Sequence, residues 1–296
     1  MSRRAMLAVA TLLVVIAMQA TNVSARGWGI PSIPGIPGLD RSGPPQMGPV
    51  EMFQSFSEMD EPQEVELGRS VAAAIGSRYK VSRDLALTKY VAAVGNAVAA
   101  SSDRPDLRYY FAVLDTPDIN ALAAPGGFVF VSRGALDLMP DEAALAGVLG
   151  HEIGHIALKH HKATIEAQRN KALAMMGAQI GLSFVRGPAS AFTGLMALGA
   201  DAVAEGVLKG HSREEEMESD RVGFQYAARA GYDPAGLREF LAGLKARSSD
   251  AGVAKFFSTH PGIDDRLTEQ GKLAQGSKGG KRETDRYAAA MAARKP

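Results

Sequence analysis

Residues 140–161 read Pro-Asp-Glu-Ala-Ala-Leu-Ala-Gly-Val-Leu-Gly-His-Glu-Ile-Gly-His-Ile-Ala-Leu-Lys-His-His. Proline followed by two acids is a helix start: proline lacks an N–H that the first turn could not pair, and the acids meet the positive end of the helix dipole. The apolar positions Leu145, Val148, Leu149, Ile153 and Ile156 carry the predicted helix on to about His161. Residues four apart share a helix face, so His151 and His155 present two imidazoles to one point. Glu152 stands one position along, outside the coordination sphere but near enough to take a proton from water at the same ion. On background composition, a chance match to this pattern occurs in about one chain of this length in a hundred. Histidines that are solvated, or satisfied in a core, are the bland alternative. Against it, burying Glu152 beside two unpaired imidazoles is costly without a partner, and a metal removes that cost. His160 and His161, behind Lys159, read as a cationic cap on the helix C-terminus.

A catalytic zinc takes three protein ligands and keeps one position open. Glu205, His211, Glu214, Glu215, Glu216 and Glu218 are the candidates for the third. Helical spacing separates them, because Glu214, Glu218, Arg221, Gln225 and Arg229 recur at steps of three and four as a solvated stripe. Glu216 and Asp220 fall on the opposite side with Gly223 and Ala227, where burial is expected. A metal explains both: Glu216 completes a His-His-Glu set, and Asp220 accepts the second ring N–H of a ligating histidine. An acidic helix start, favoured by the dipole alone, is the alternative.

The rest of the chain frames this centre. At 296 residues, 46% hydrophobic and 22% charged, it can bury a full core. A formal charge of +1 and the lack of a long Lys/Arg block exclude an electrostatic nucleic-acid binder. With no cysteine, disulfides and thiol catalysis are excluded too. Ser2-Arg3-Arg4, an apolar run from Ala5 to Ala20 and the small residues Val23-Ser24-Ala25 predict an export signal over residues 1–25; an uncleaved anchor is the alternative, though the run falls short of the roughly 20 residues a membrane span needs. Residues 26–58, with a Gly/Pro tract from Gly27 to Pro49, predict a tether. The domain is expected over 59–272, beginning with two amphipathic helices in 61–100 and strands near 109–114 and 128–131. Residues 171–208 predict a helical hairpin broken at Arg186-Gly187-Pro188, with a membrane-surface element as its alternative. A helix from Arg213 to about Ala230 ends at Gly231. Residues 273–296 are expected to be a flexible tail.

With these residues in place, the chain resembles the Ste-type CAAX prenyl endopeptidase family of zinc metallopeptidases, which includes HtpX-like, Oma-like and BepA-like members. The resemblance rests on the His151–His155 motif and on Ser212-Arg213-Glu214-Glu215-Glu216-Met217-Glu218-Ser219-Asp220, in which the family's metal ligand is Glu216. It extends to Asn120-Ala121-Leu122-Ala123-Ala124-Pro125-Gly126-Gly127 with Phe128 to Val131, and to Thr259-His260-Pro261 with Arg266. It covers about residues 60–270. From it follow a substrate strand lying along Gly126, Gly127, Phe128, Val129, Phe130 and Val131, and an approach of His260 to the ion, as oxyanion donor or as reversible extra ligand, with Arg266 beside it. An interior strand and a surface histidine are the respective alternatives. The chain lacks the several clear spans of membrane-embedded members, so prenylated substrates are not expected.

Together these readings predict a mainly helical α+β zincin, gluzincin-like, whose small β-sheet lines the active site with its edge strand. They predict one zinc ion per chain, and hydrolysis of peptide bonds in unfolded or misassembled envelope proteins. A zinc-stabilised holdase with latent protease activity is the alternative. The expected setting is the periplasm, compatible with peripheral association with an envelope membrane or the outer-membrane assembly machinery.

Overall fold

The computed structural model describes residues 60–163, 165 and 203–294. The expected export signal, the tether and nearly all of the 171–208 tract lie outside the described residues. Helix α1 (Glu61–Arg78) opens on a capping box in which Asp60 and Gln63 each accept the other's backbone N–H. Helix α2 (Leu85–Ala99) is capped by the Asp84 carboxylate, which accepts from Ala86 and Leu87. Each buries an apolar stripe, Leu67, Val71 and Ile75 on the first, Leu87, Val91, Val94 and Val98 on the second.

Three strands follow: β1 (Tyr110–Leu114), β2 (Ala121–Ala124) and β3 (Phe128–Ser132). Their order is β1-β3-β2, with β3 parallel to β1 and antiparallel to β2. Phe128 to Val131 is therefore paired on both sides, which corrects its assignment as the substrate-binding edge. Burial does not separate centre from edge here, since β2 and β3 are both buried along their whole length; strand pairing does. The edges are β1 and β2, and β2, whose Ala-rich sequence carries little strand signal, is the one that meets His260. Ser132 donates to the Asn120 carbonyl across the pair. Because antiparallel pairs alternate, Ala121 and Ala123 then turn their N–H and C=O groups away from β3, toward the free side. Gly126 and Gly127 form the tight turn between β2 and β3, both at positive φ, and a Cβ at Gly127 would stand 2.3 Å from the Arg108 carbonyl oxygen. They shape the turn.

Behind the sheet, a short α3 (Arg133–Leu138) leads into α4 (Glu142–Ala157), capped by Asp141 and buried at every position from Glu142 to Ile156. A helix surrounded on all sides is hydrophobic all round rather than striped. Across it lies α5 (Arg213–Arg229), started by a Ser212/Glu215 capping box. The two helices nearly touch at Gly150 and Gly223: a Cβ on Gly223 would sit 2.7 Å from the His151 backbone nitrogen. Only glycine allows that approach, and it brings the acidic face of α5 onto the histidines of α4.

The remaining helices are α6 (Gly236–Lys245), α7 (Ala251–Thr259), α8 (Ile263–Ala274) and α9 (Thr284–Ala292). The last corrects the expectation of a flexible tail. Lys281 exchanges backbone hydrogen bonds with Gly231 and Asp233, Arg282 reaches Asp141 and Asp233, and buried Tyr287 donates to the Leu136 carbonyl. Alanines alone do not disclose this; Tyr287 and the arginines Arg282 and Arg286 anchor the segment. Among the described residues, no helix is long and apolar enough to cross a membrane.

Candidate metal centre

Helix α4 ends at Ala157, four residues earlier than its sequence suggests. Lys159, at φ 57°, donates to Ile156, and His160 donates its backbone N–H to the His155 carbonyl. This is a Schellman closure with lysine in the left-handed position that usually falls to glycine. It turns His160 back alongside His155, and of the expected cationic cap His161 drops out. His161 is buried, and burial holds its ring well below the usual imidazole range, so it is neutral.

The i,i+4 geometry of α4 brings the Nε2 atoms of His151 and His155 to 3.0 Å from one another. From α5, the Glu216 carboxylate reaches both rings, with Oε2 3.4 Å from His151 Nε2 and Oε1 3.3 Å from His155 Nε2. Of the six candidates, Glu216 alone is buried; Glu205, Glu214 and Glu218 are exposed, and the whole predicted stripe from Glu214 to Arg229 faces solvent. His260, capping the C-terminus of α7, completes a buried group of four whose ligand atoms lie within 4.8 Å of one another.

Asp220 accepts from His151 Nδ1 at 2.7 Å, one helical turn beyond Glu216. Arg266 on α8, 1% exposed, forks onto both oxygens of Asp220 at 2.8 and 2.7 Å and onto Glu216 Oε2 at 2.6 Å. Each of its three nitrogens donates to these acids, so it orients the two carboxylates. Gln270 adds a hydrogen bond to the Asp220 carbonyl.

The charges decide what this group can hold. Three buried carboxylates, Glu152, Glu216 and Asp220, face Arg266, the one buried arginine among the described residues. With neutral histidines the cluster carries two more negative charges than positive ones, and lone pairs of two imidazoles and one carboxylate converge on one point. A divalent cation fits both facts. His260 answers the same imbalance. Its Nδ1 lies 3.2 Å from Glu216 Oε1 and its Nε2 3.3 Å from the Ala121 carbonyl oxygen. Both partners are acceptors. Burial works against a charge on this ring, but the carboxylates Glu216 and Glu152 together outweigh it and raise the ring above its ordinary value. Glu152, by contrast, is pushed up by burial, with the opposing pull of His260 and His151 too weak to cancel it.

All six histidines of the chain meet here, since His211 stacks on the His155 ring at 3.7 Å between centroids and 17° between planes, and His161 lies beside His211. The roles of His160 and His211 escaped the sequence reading. The concentration of every histidine into the 151–161, 211 and 260 segments was the available signal.

Comparisons place this geometry among known proteins. Residues 86–273 match peptidase family M48. The chain is 28% identical to the β-barrel assembly-enhancing protease of Yersinia pestis over 210 residues, 70% of this chain and 43% of that one. It is 31% identical to the mitochondrial metalloendopeptidase OMA1 of Schizosaccharomyces pombe, over 61% of this chain and 51% of that protein. Metalloprotease YcaL of Escherichia coli K12 is 32% identical over 72% of this chain and 74% of its own. The chain thus spans half the length or less of the assembly-enhancing proteases it matches.

Proposed function

Since this chain belongs to peptidase family M48, we propose that it is a zinc metalloendopeptidase that hydrolyses peptide bonds in unfolded or misassembled proteins of the cell envelope. The observation that carries the reading is the buried His151, His155, Glu216 and His260 group with Glu152 beside it on the same helical turn. His151, His155 and Glu216 would hold the ion. When bound, zinc supplies Lewis-acid chemistry, acidifying water and polarising a carbonyl oxygen. Glu152 takes the proton of the attacking water and returns it to the leaving amine; a buried carboxyl raised toward neutrality suits both duties. Asp220 keeps the His151 ring in the tautomer that frees Nε2, and Arg266 holds Asp220 and Glu216 in register.

An extended substrate fits along β2, where the outward peptide groups of Ala121 and Ala123 offer main-chain hydrogen bonds independent of sequence. Such recognition favours unfolded chains. The relatives named for enhancing β-barrel assembly, and the predicted export signal, support a periplasmic setting. A holdase with latent protease activity has one observation in its favour: His260 occupies the Ala121 carbonyl that a substrate strand would use.

The test is cleavage of unfolded casein by the zinc-loaded protein and by Glu152→Gln. The variant should keep one zinc per chain and lose about 10²- to 10⁴-fold in rate. Equal rates would end the protease reading. A wild type that suppresses aggregation without cutting would establish the holdase.

A further inference from the structure

Outside the four-residue group stands a histidine that the proposed chemistry does not use. We propose that His160 is a positioning residue that sets the tautomer of His155 for metal binding, with Glu218 behind it. The inference rests on the reading of His151, His155 and Glu216 as metal ligands. His155 directs Nε2 toward His151 and Glu216, so in a neutral ligating ring the proton sits on Nδ1 and needs an acceptor. That Nδ1 lies 2.9 Å from Nδ1 of His160. His160 can accept there only through a bare Nδ1, which places its own proton on Nε2, and Nε2 faces a Glu218 oxygen at 3.2 Å. The Ser219 hydroxyl stands 3.2 Å from the same His160 Nδ1 and shares that lone pair.

The backbone builds this contact on purpose-fitted geometry. The Schellman closure that ends α4 ties the His160 N–H to the His155 carbonyl at 3.0 Å, so one residue pair is joined twice, by main chain and by side chain. The left-handed Lys159 is the local cost of that turn. His211, stacked on the His155 ring, restrains its plane while His160 restrains its proton.

The two histidines of the motif therefore differ. His151 leans on a carboxylate that is itself clamped by Arg266, whereas His155 leans on an imidazole relayed to an exposed acid. A ligand's outer partner raises its basicity and fixes its orientation, and its loss typically weakens metal binding by roughly ten- to a hundredfold.

The experiment measures zinc dissociation constants by chelator competition, and visible spectra of the cobalt-substituted protein, for wild type, His160→Leu and His160→Gln. Leucine should weaken zinc by roughly ten- to a hundredfold and alter the cobalt bands. Glutamine, whose amide oxygen can accept from His155 while its amide nitrogen donates to Glu218, should recover most of the loss. A leucine variant with wild-type affinity and spectrum overturns the proposal. A wild type that binds no zinc overturns the metal-centre reading itself, which keeps the two failures apart. Should the leucine variant not fold, nitrogen-15 spectra of the wild-type histidines decide: His160 protonated on Nε2 is expected, and His160 protonated on Nδ1 refutes the relay.

Discussion

The two halves of α4 each bury a carboxylate against it, and they treat it in opposite ways. At the N-terminal end Glu142, fully buried, accepts from Tyr90 at 2.6 Å, from Tyr232 at 2.8 Å and from Arg286. Those partners come from α2, from the turn after α5 and from α9, so three distant segments are pinned to one acid and its charge is answered by the chain itself. At the C-terminal end Glu216 is equally buried, but its arginine is shared with Asp220, and the Nε2 lone pairs of His151 and His155 point the same way as its own. A satisfied carboxylate is scaffold. A carboxylate left in negative surplus among convergent nitrogens is a place for a cation.

Neutralising each acid in turn is the strongest way to break that contrast. Glu216→Gln should abolish stoichiometric zinc and proteolysis, weakening the metal by more than the roughly hundredfold typical of losing an outer partner. Metal analysis of the purified variant checks it, and full zinc occupancy would place Glu216 with the scaffold. Glu142→Gln should do the reverse, costing about 2 kcal/mol of folding stability while zinc content stays at one per chain. Here pH sharpens the comparison. Burial on its own raises the Glu142 carboxyl, yet the donors Arg286, Tyr90 and Tyr232 together hold it below its ordinary 4.5. A carboxyl lowered in the folded state contributes stability that is complete above its unfolded value and lost as pH falls through the folded one. Urea denaturation across pH should therefore show a loss of stability below about pH 4.5 in the wild type that Glu142→Gln lacks in part. The smallest effect belongs to Lys159→Gly. Relief of a left-handed residue, offset by glycine's greater freedom when unfolded, should stabilise the protein by about 0.5 kcal/mol without changing its metal content.

Much of the C-terminal half was legible in sequence because its logic is local. The four-residue step placed His151 beside His155, and the three-and-four spacing of Glu214, Glu218, Arg221, Gln225 and Arg229 exposed one face of α5 and buried Glu216 with Asp220. The N-terminal half was not legible at all. Nothing in the spacing of Tyr90, Glu142, Tyr232 and Arg286 announces that they meet, since each lies on a different element. The sheet misled for a related reason. Phe128 to Val131 has strong strand propensity, but propensity does not say whether a strand is central or at an edge, and the Ala-rich β2 that forms an edge has almost none.

What the sequence determined by itself was the chemistry: two histidines, an acid one position on and a second acid pair, each held by the period of its own helix. Tertiary structure decided how those pieces are controlled. Close approach at Gly150 and Gly223 set α5 against α4, strand order left β2 at an edge and β3 at the centre, and the turn at Lys159 brought His160 behind His155. Periodicity is a property of a few consecutive residues, so it can be read from them. Which faces then touch depends on how the whole chain packs, and no single segment carries that information.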